Sequence, residues 1–280
     1  MKKVQKLLVE GNIGAGKSTF CANLKSLQIN FQKSLFVLPE LIDATFLKLF
    51  YSNVSKYAFA FQMHMLEHRT NVNELCVLNL DHVKYDFALL DRSIFGDCVF
   101  AIVNYLTASI SEEEFAVYTN ICGLEEIHKI GFLLDEMYGK SMWNFVYLHS
   151  SFSECKNRVD TVRKSVETEN NVPQWYYECI EQVYFFLFVC LNQTHPYNVS
   201  VYAWHQYAED VKKTCKKVLR VNGYSNQSEN FARSTKLSES TEDFKQIPEQ
   251  VCKKRLKNLK IPWTSREWRE IVLKMFVDLH

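Results

Sequence analysis

Val9-Glu10-Gly11-Asn12-Ile13-Gly14-Ala15-Gly16-Lys17-Ser18-Thr19 is the stretch from which the fold of this chain can be read. From Gly11 to Ser18 it spells G-x-x-x-x-G-K-S/T in full. Glycines let the backbone curl so that successive N–H groups point at phosphate oxygens. A helix opening at the end of the loop adds its positive end. Lys17 is placed to reach β- and γ-phosphates, and the Ser18 hydroxyl to reach Mg²⁺. The expected phosphate-binding set is Gly11, Asn12, Ile13, Gly14, Ala15, Gly16, Lys17, Ser18 and Thr19. A glycine-rich turn without a ligand is the alternative, and the context speaks against it: Lys6–Glu10 reads as a strand and Lys17–Leu27 as a helix. Phosphate loops also serve GTPase switches and motor ATPases. The guanine-reading pattern N-K-x-D has one near match, Asn157-Arg158-Val159-Asp160. It carries Arg for Lys and falls in a helical, polar stretch, so it reads as a coincidence.

Outward from the loop, short apolar runs alternate with longer helical patterns. Further strands are expected at Leu35–Pro39, Phe87–Asp91, Phe145–Leu148 and Val199–Tyr202. Helices are expected at Leu41–Phe50, Ala58–Leu78, Phe95–Leu106, Glu112–Ile127, Ser153–Val159, Pro173–Asn192 and Ala208–Leu219. Strands separated by helices imply an α/β fold, three layers α/β/α around a five-stranded parallel sheet. Strands without clean alternation fit a sheet covered on both faces. The folded domain spans residues 1–222. A polar linker follows at 223–248, rich in Ser, Glu, Asn and Thr. The tail at 249–280 holds a basic run, Lys253 to Lys260. Thr264 and Glu267 form a capping-box pattern before Trp268, Ile271, Met275 and Leu279, which sit at the spacing of a short amphipathic helix. The basic run reads as a solvated helix face, with an import signal or an anionic contact as alternatives.

The chain has 280 residues, 47% hydrophobic and 23% charged, with a formal net charge of +1. Nothing in that balance asks for nucleic acid or an anionic membrane as partner. Nine cysteines are scattered without a C-x-x-C pair. They read as reduced, mostly buried thiols of an intracellular protein rather than a disulfide framework or a zinc site. The longest apolar run, Val183 to Leu191, is far short of the roughly 20 residues that span a bilayer. It reads as a buried helix. The N-terminal apolar stretch is too short for a signal peptide. The expected location is the cytoplasm, and the same features are compatible with the nucleus.

In an open α/β sheet, ligands bind at the carboxyl ends of the strands. The second expected strand ends at Glu40, and the third at Asp91-Arg92-Ser93. Two carboxylates and a guanidinium should therefore meet near the phosphates. Phosphoryl transfer to a hydroxyl needs a proton acceptor, an acidic metal partner beside the loop serine, and a cation for the moving phosphoryl group. Glu40, Asp91 with Ser18, and Arg92 with Lys17 suit these tasks. Taken singly, each has a plain reading: Glu40 as a helix cap or surface charge, Asp91-Arg92 as a local ion pair. Their convergence on one edge favours the site. Gln62, Met65 and Arg69 lie at i, i+3 and i+7 on one expected helix and share a face. A Gln amide offers a donor beside an acceptor, which suits a nucleobase edge. By itself it also suits a half-exposed helix.

Together these motifs resemble the deoxynucleoside kinase family, over about residues 5–220. The resemblance rests on the loop, Pro39-Glu40, Tyr51, Phe61-Gln62, Asp91-Arg92-Ser93 with Asp97, and a basic stretch followed by Glu169 and Pro173. It implies a phosphate-loop nucleoside kinase domain over 1–222, using ATP and Mg²⁺ in nucleotide salvage and DNA precursor synthesis, and a homodimer. It implies Glu40 as acceptor of the 5′-hydroxyl proton and Arg92 as the residue that steadies phosphates and base. Asp91 stands where the family has Glu in an E-R-S motif, although related viral kinases carry D-R. Arg158, Arg163 and Lys164 fall in the region of a lid closing over ATP. Tyr51 and Glu169 match positions that hold the sugar 3′-hydroxyl, Gln62 the position that pairs with the base, and Phe61 and Phe100 positions flanking it. Arg69 and Asp97 match a pair of the deoxycytidine and deoxyguanosine branch, where the thymidine-preferring branch is apolar. The resemblance thus implies deoxycytidine or a purine deoxynucleoside in preference to thymidine.

The chain also departs from the pattern. Leu41 and Thr45 stand where the family has Pro and Trp. Ala101 replaces a Phe, with Phe100 beside it. Met65 replaces a small residue, and Gly123 to Lys140 looks like an insertion. These changes remodel the base pocket. Two other classes stay open from the sequence: a nucleoside monophosphate kinase such as thymidylate kinase, with Arg69 clamping the substrate phosphate, and a nucleotide-binding scaffold without turnover.

Overall fold

β1 (Gln5–Gly11) runs through the centre of the sheet, and its Leu7, Leu8 and Val9 are fully buried. An uninterrupted apolar run is what a central strand covered on both faces requires. β2 (Leu35–Leu38), β3 (Phe87–Asp91), β4 (Trp143–His149) and β5 (Val199–Ala203) complete a five-stranded sheet of order β2-β3-β1-β4-β5. Every pairing is parallel. This computed structural model describes residues 4–31, 34–80, 85–124, 126, 129–139, 143–162, 172–194 and 199–203. The linker at 223–248, the tail at 249–280 and the helix expected at Ala208–Leu219 lie outside those residues.

The helices are α1 (Lys17–Phe31), α2 (Ala44–Ser52), α3 (Val54–Leu80), α4 (Ile94–Leu106), α5 (Glu112–Cys122), α6 (Ile130–Tyr138), α7 (Phe152–Val162) and α8 (Gln174–Thr194). They cover both faces of the sheet. α1 packs on β1, β2 and β3, while α4 packs on α8. The apolar run read as a buried helix is the second half of α8, where Val183, Tyr184, Phe186, Leu187 and Leu191 are fully buried. Among the described residues no helix is long and apolar enough to cross a membrane.

Several boundaries differ from expectation for local reasons. β2 stops at Leu38, one residue before Pro39, which has no N–H for a ladder. α2 starts at Ala44 and not Leu41, because the Asp43 side chain accepts from the backbone N–H groups of Thr45 and Phe46. α5 ends at Cys122 and not Ile127, because Gly123 turns left-handed with φ 76°. Part of the stretch Gly123–Lys140 is regular structure. It contains α6, whose Ile130, Leu133, Leu134 and Tyr138 face the core at helical spacing. The near match to the guanine-reading pattern lies inside α7, as its helical context implied.

Register sets the site. Val9 pairs with Asp91, and Leu38 pairs with Leu90, so the carboxyl ends of β1, β2 and β3 finish side by side. The phosphate loop, Glu40 and Asp91 all leave the sheet at this edge.

Candidate active site

The loop adopts left-handed or extended-positive backbone at three glycines, with φ of 153° at Gly11, 69° at Gly14 and 94° at Gly16. Space is as restrictive as conformation. A Cβ on Gly14 would lie 2.4 Å from the Cys155 carbonyl oxygen. Gly14→Ala therefore meets both a left-handed backbone and a rigid carbonyl, together worth about 2–5 kcal/mol. A drop in thermal midpoint of at least about 4 °C, at about 2–4 °C per kcal/mol in a domain of this size, checks this.

The loop is braced from behind. Asn12 donates to the Tyr177 carbonyl (2.8 Å) and accepts from the Ile13 N–H (2.8 Å). Lys17 Nζ donates to the carbonyls of Gly11 (3.2 Å) and Asn12 (2.9 Å). Arg158, expected in a lid over ATP, sits on α7. There its Nη1 faces the carbonyls of Gly14 (3.3 Å) and Ala15 (3.2 Å) and the Ser150 hydroxyl (2.9 Å). The cause is the packing of α7, whose Cys155 and Val159 fill the space beside Gly14. Arg163, Lys164 and Glu169 lie outside the described residues.

At the end of β3, Asp91 Oδ2 accepts from the Ser18 hydroxyl at 2.6 Å. Burial raises its pKa, with the Lys17 cation opposing. Its other oxygen, Oδ1, is buried with no hydrogen-bond partner among the described residues. A hydroxyl beside a carboxylate with an unmatched oxygen is a hard donor set that fits Mg²⁺.

The next residue, Arg92, is held in left-handed backbone, φ 66°, with its N–H on the Val9 carbonyl. Such a conformation in a non-glycine residue persists only where its surroundings enforce it. Its Nε lies 3.1 and 3.2 Å from the two oxygens of Glu40, its Nη1 donates to Tyr184 Oη (2.9 Å), and its guanidinium lies over the Phe100 ring. Tyr184 donates in turn to Glu10 Oε2 (2.8 Å), whose Oε1 accepts from the Ser93 N–H (2.8 Å) and hydroxyl (2.6 Å). On the other side of Glu40, Arg69 Nη2 approaches its Oε1 at 2.7 Å, while Arg69 Nε lies 3.4 Å from Asp97 Oδ1. Burial pushes the Glu40 carboxyl up, but Arg92, Arg69 and Lys17 outweigh it and hold it down to about 2.

That depression is a stability statement. A carboxyl whose folded pKa lies below its ordinary 4.5 stabilises the fold above that value and loses the effect as pH falls toward 2. The stability advantage of the wild type over Glu40→Gln, of order 3 kcal/mol by this linkage, should shrink from pH 5 downward. Urea unfolding of both proteins at pH 7, 5 and 4 measures it.

Beside this network opens a cleft partly open to solvent, about 580 Å³ with its open mouth included. Ile13 of the loop lines it together with the charged Glu40, Arg92 and Arg69. Tyr51, Phe61, Gln62, Met65, Asp97 and Phe100 line the remainder with Ile42, Leu47, Phe50 and Asn104. The structure thus brings together every described residue expected at the acceptor side. Phe61 stacks on Phe50 (5.0 Å), and the Gln62 amide donates to the Asp97 carbonyl (3.1 Å), which orients it. Beyond the apolar Ile42, Leu47 and Phe50 of the lining, polar residues also escaped the sequence reading. Glu10 and Tyr184 anchor Arg92, while Tyr118 binds Asp97 and Asn104 accepts from the Tyr176 hydroxyl (3.2 Å). Glu10 adjoins the quoted loop and carried a local signal. Tyr184 sits in an apolar run and carried none.

The deoxynucleoside kinase model matches residues 7–221. A deoxyguanosine kinase of Dictyostelium discoideum is 34% identical over 115 residues, 41% of this chain and 39% of that protein. One from Lactobacillus johnsonii is 29% identical over 163 residues, 58% of this chain and 65% of its own length. The matched region thus spans less than two thirds of either relative. A deoxycytidine kinase of Bos taurus is 24% identical over 199 residues, 63% and 72% of the two chains. In fold, the chain is similar to a deoxyadenosine kinase from M. mycoides solved with bound dCTP. The TM-score is 0.56 at 20% identity, covering 77% of this chain and 98% of that one. With the loop, the acidic strand ends and the cleft in one place, and the family match running through most of its length, this chain belongs to the deoxynucleoside kinase family.

Proposed function

We propose that the protein transfers the γ-phosphoryl group of ATP to the 5′-hydroxyl of a deoxynucleoside, deoxycytidine or a purine deoxynucleoside in preference to thymidine. The observation that carries this reading is Glu40, an ionised carboxylate fixed between Arg92 and Arg69 where the phosphate-loop edge meets the cleft. Glu40 orients the acceptor hydroxyl and takes its proton. With a pKa of about 2 it is a weak base. That suits a loose phosphoryl transition state, in which the nucleophile is little bonded when the leaving group departs. Arg92 and Lys17 offset the charge that develops on the phosphoryl oxygens. Ser18 and Asp91 would hold Mg²⁺, which neutralises phosphate charge when bound. Tyr51 and Glu169 take the sugar, Gln62, Arg69 and Asp97 the base edge, and Phe61 and Phe100 its faces.

A panel of the four deoxynucleosides and their monophosphates with ATP and Mg²⁺, followed by ADP release, tests the proposal. Turnover of deoxycytidine or a purine deoxynucleoside is expected, with kcat/KM for thymidine at least tenfold lower. Thymidine monophosphate as the best acceptor would sink the reading in favour of a monophosphate kinase. Against that alternative stands Arg69, whose charge is shared by two carboxylates instead of facing open space.

A further inference from the structure

Asp97 is fully buried, and its two oxygens have unequal partners. Arg69 Nε lies 3.4 Å from Oδ1, whereas the Tyr118 hydroxyl donates to Oδ2 at 2.8 Å. Tyr118 comes from α5, which does not line the cleft. That helix is well fixed: Ser111 and Glu114 form a reciprocal capping box, and Gly123 closes its other end. The Tyr118 ring is buried against Phe115. Phenylalanine would fill this space equally well and would avoid burying a hydroxyl, so the hydroxyl contributes only through its hydrogen bonds. Besides Asp97, the group it reaches is the Cys98 thiol, at the longer distance of 3.7 Å.

We propose that Tyr118 is a positioning residue for substrate discrimination: its phenol fixes the Asp97 carboxylate, and through it Arg69, at the base end of the cleft. This rests on the reading of the cleft as a deoxynucleoside site. Asp97 held by Tyr118 keeps one oxygen turned to Arg69. Arg69 is then stretched between Asp97 and Glu40 in a single orientation. Without the phenol, the carboxylate can rotate and Arg69 can collapse onto Glu40, its closer partner. The donor and acceptor pattern presented to a base would no longer be fixed, whereas the phosphate loop, on other elements, would be untouched.

The test is Tyr118→Phe alone and in an Asp97→Asn background, with kcat and KM measured for each deoxynucleoside and for ATP. Tyr118→Phe should narrow the discrimination between the preferred deoxynucleoside and thymidine by about tenfold, the scale of one hydrogen bond to a charged group. KM for ATP should stay within twofold. In the Asp97→Asn background Tyr118→Phe should change discrimination by less than twofold, since both act through one carboxylate. Unchanged discrimination in Tyr118→Phe overturns the proposal, and so does an equal effect in both backgrounds. The double variant removes donor and charge together and leaves no ionised group buried without its partner. It keeps the test open should Tyr118→Phe alone not fold: discrimination more than threefold away from that of Asp97→Asn overturns the proposal. A wild type that turns over no deoxynucleoside overturns the reading of the cleft and this inference with it. A wild type that discriminates while Tyr118→Phe does the same overturns only the inference.

Discussion

Glu40→Gln is expected to lower kcat roughly 10²- to 10⁴-fold while ATP binding persists. The amide keeps the volume and one acceptor oxygen but cannot take a proton. ATP binding is expected to persist because the loop is held by its own bonds, which run through Asn12, Lys17, Ser18 and Arg158. The substitution also leaves Arg69 and Arg92 without the carboxylate between them. Breaking a buried pair in this way costs about 3–5 kcal/mol, so folding must be checked by thermal unfolding before kinetics are read. Single-turnover rates at saturating ATP, beside ATP affinity from a fluorescent analogue, separate the two effects. An unchanged kcat in a folded variant would remove Glu40 from the mechanism, and ATP binding without turnover in the wild type would leave a nucleotide-binding scaffold.

Arg92→Lys is expected to lower kcat by about 10²- to 10³-fold, the range for loss of one preorganised charge-stabilising donor. Charge is conserved, but geometry is not. The guanidinium meets Glu40 through Nε and Tyr184 through Nη1, and lies over the Phe100 ring. An ammonium is a compact point charge that cannot reproduce this planar fork. Tyr184 would then keep its bond to Glu10 but lose the guanidinium, and the left-handed backbone at position 92 would lose the side-chain contacts that hold it. KM for the deoxynucleoside should change less than kcat, because the lost interaction is strongest in the transition state. A kcat within threefold of wild type would place Arg92 outside the reacting charges.

Much of the fold was legible. Strand-loop-helix at residues 6–27, and apolar runs ending at Glu40 and Asp91, are local patterns. Backbone stereochemistry and burial on both faces leave few alternatives to them. The misplaced boundaries, at Asp43 and Gly123, turned on single side-chain or backbone caps that outweigh apolar periodicity over three to five residues. The described residues that the family pattern assigns to the acceptor side line one cleft. Tyr184 was less legible, because a tyrosine within an apolar run looks like core until its partner is known.

By itself the sequence determined the phosphate loop, the parallel α/β frame and the meeting of Glu40, Asp91 and Arg92 at one sheet edge. Chain connectivity and strand periodicity suffice for these. Only the tertiary structure decided which charges pair. Arg69 lies between Glu40 and Asp97, Arg158 faces the carbonyls of Gly14 and Ala15, and Tyr118 reaches Asp97 from a helix outside the cleft. The physical reason is distance. Electrostatic and hydrogen-bond energies change over a few tenths of an ångström to a few ångströms, and those separations are set by how segments 21 to 144 residues apart in sequence pack against one another.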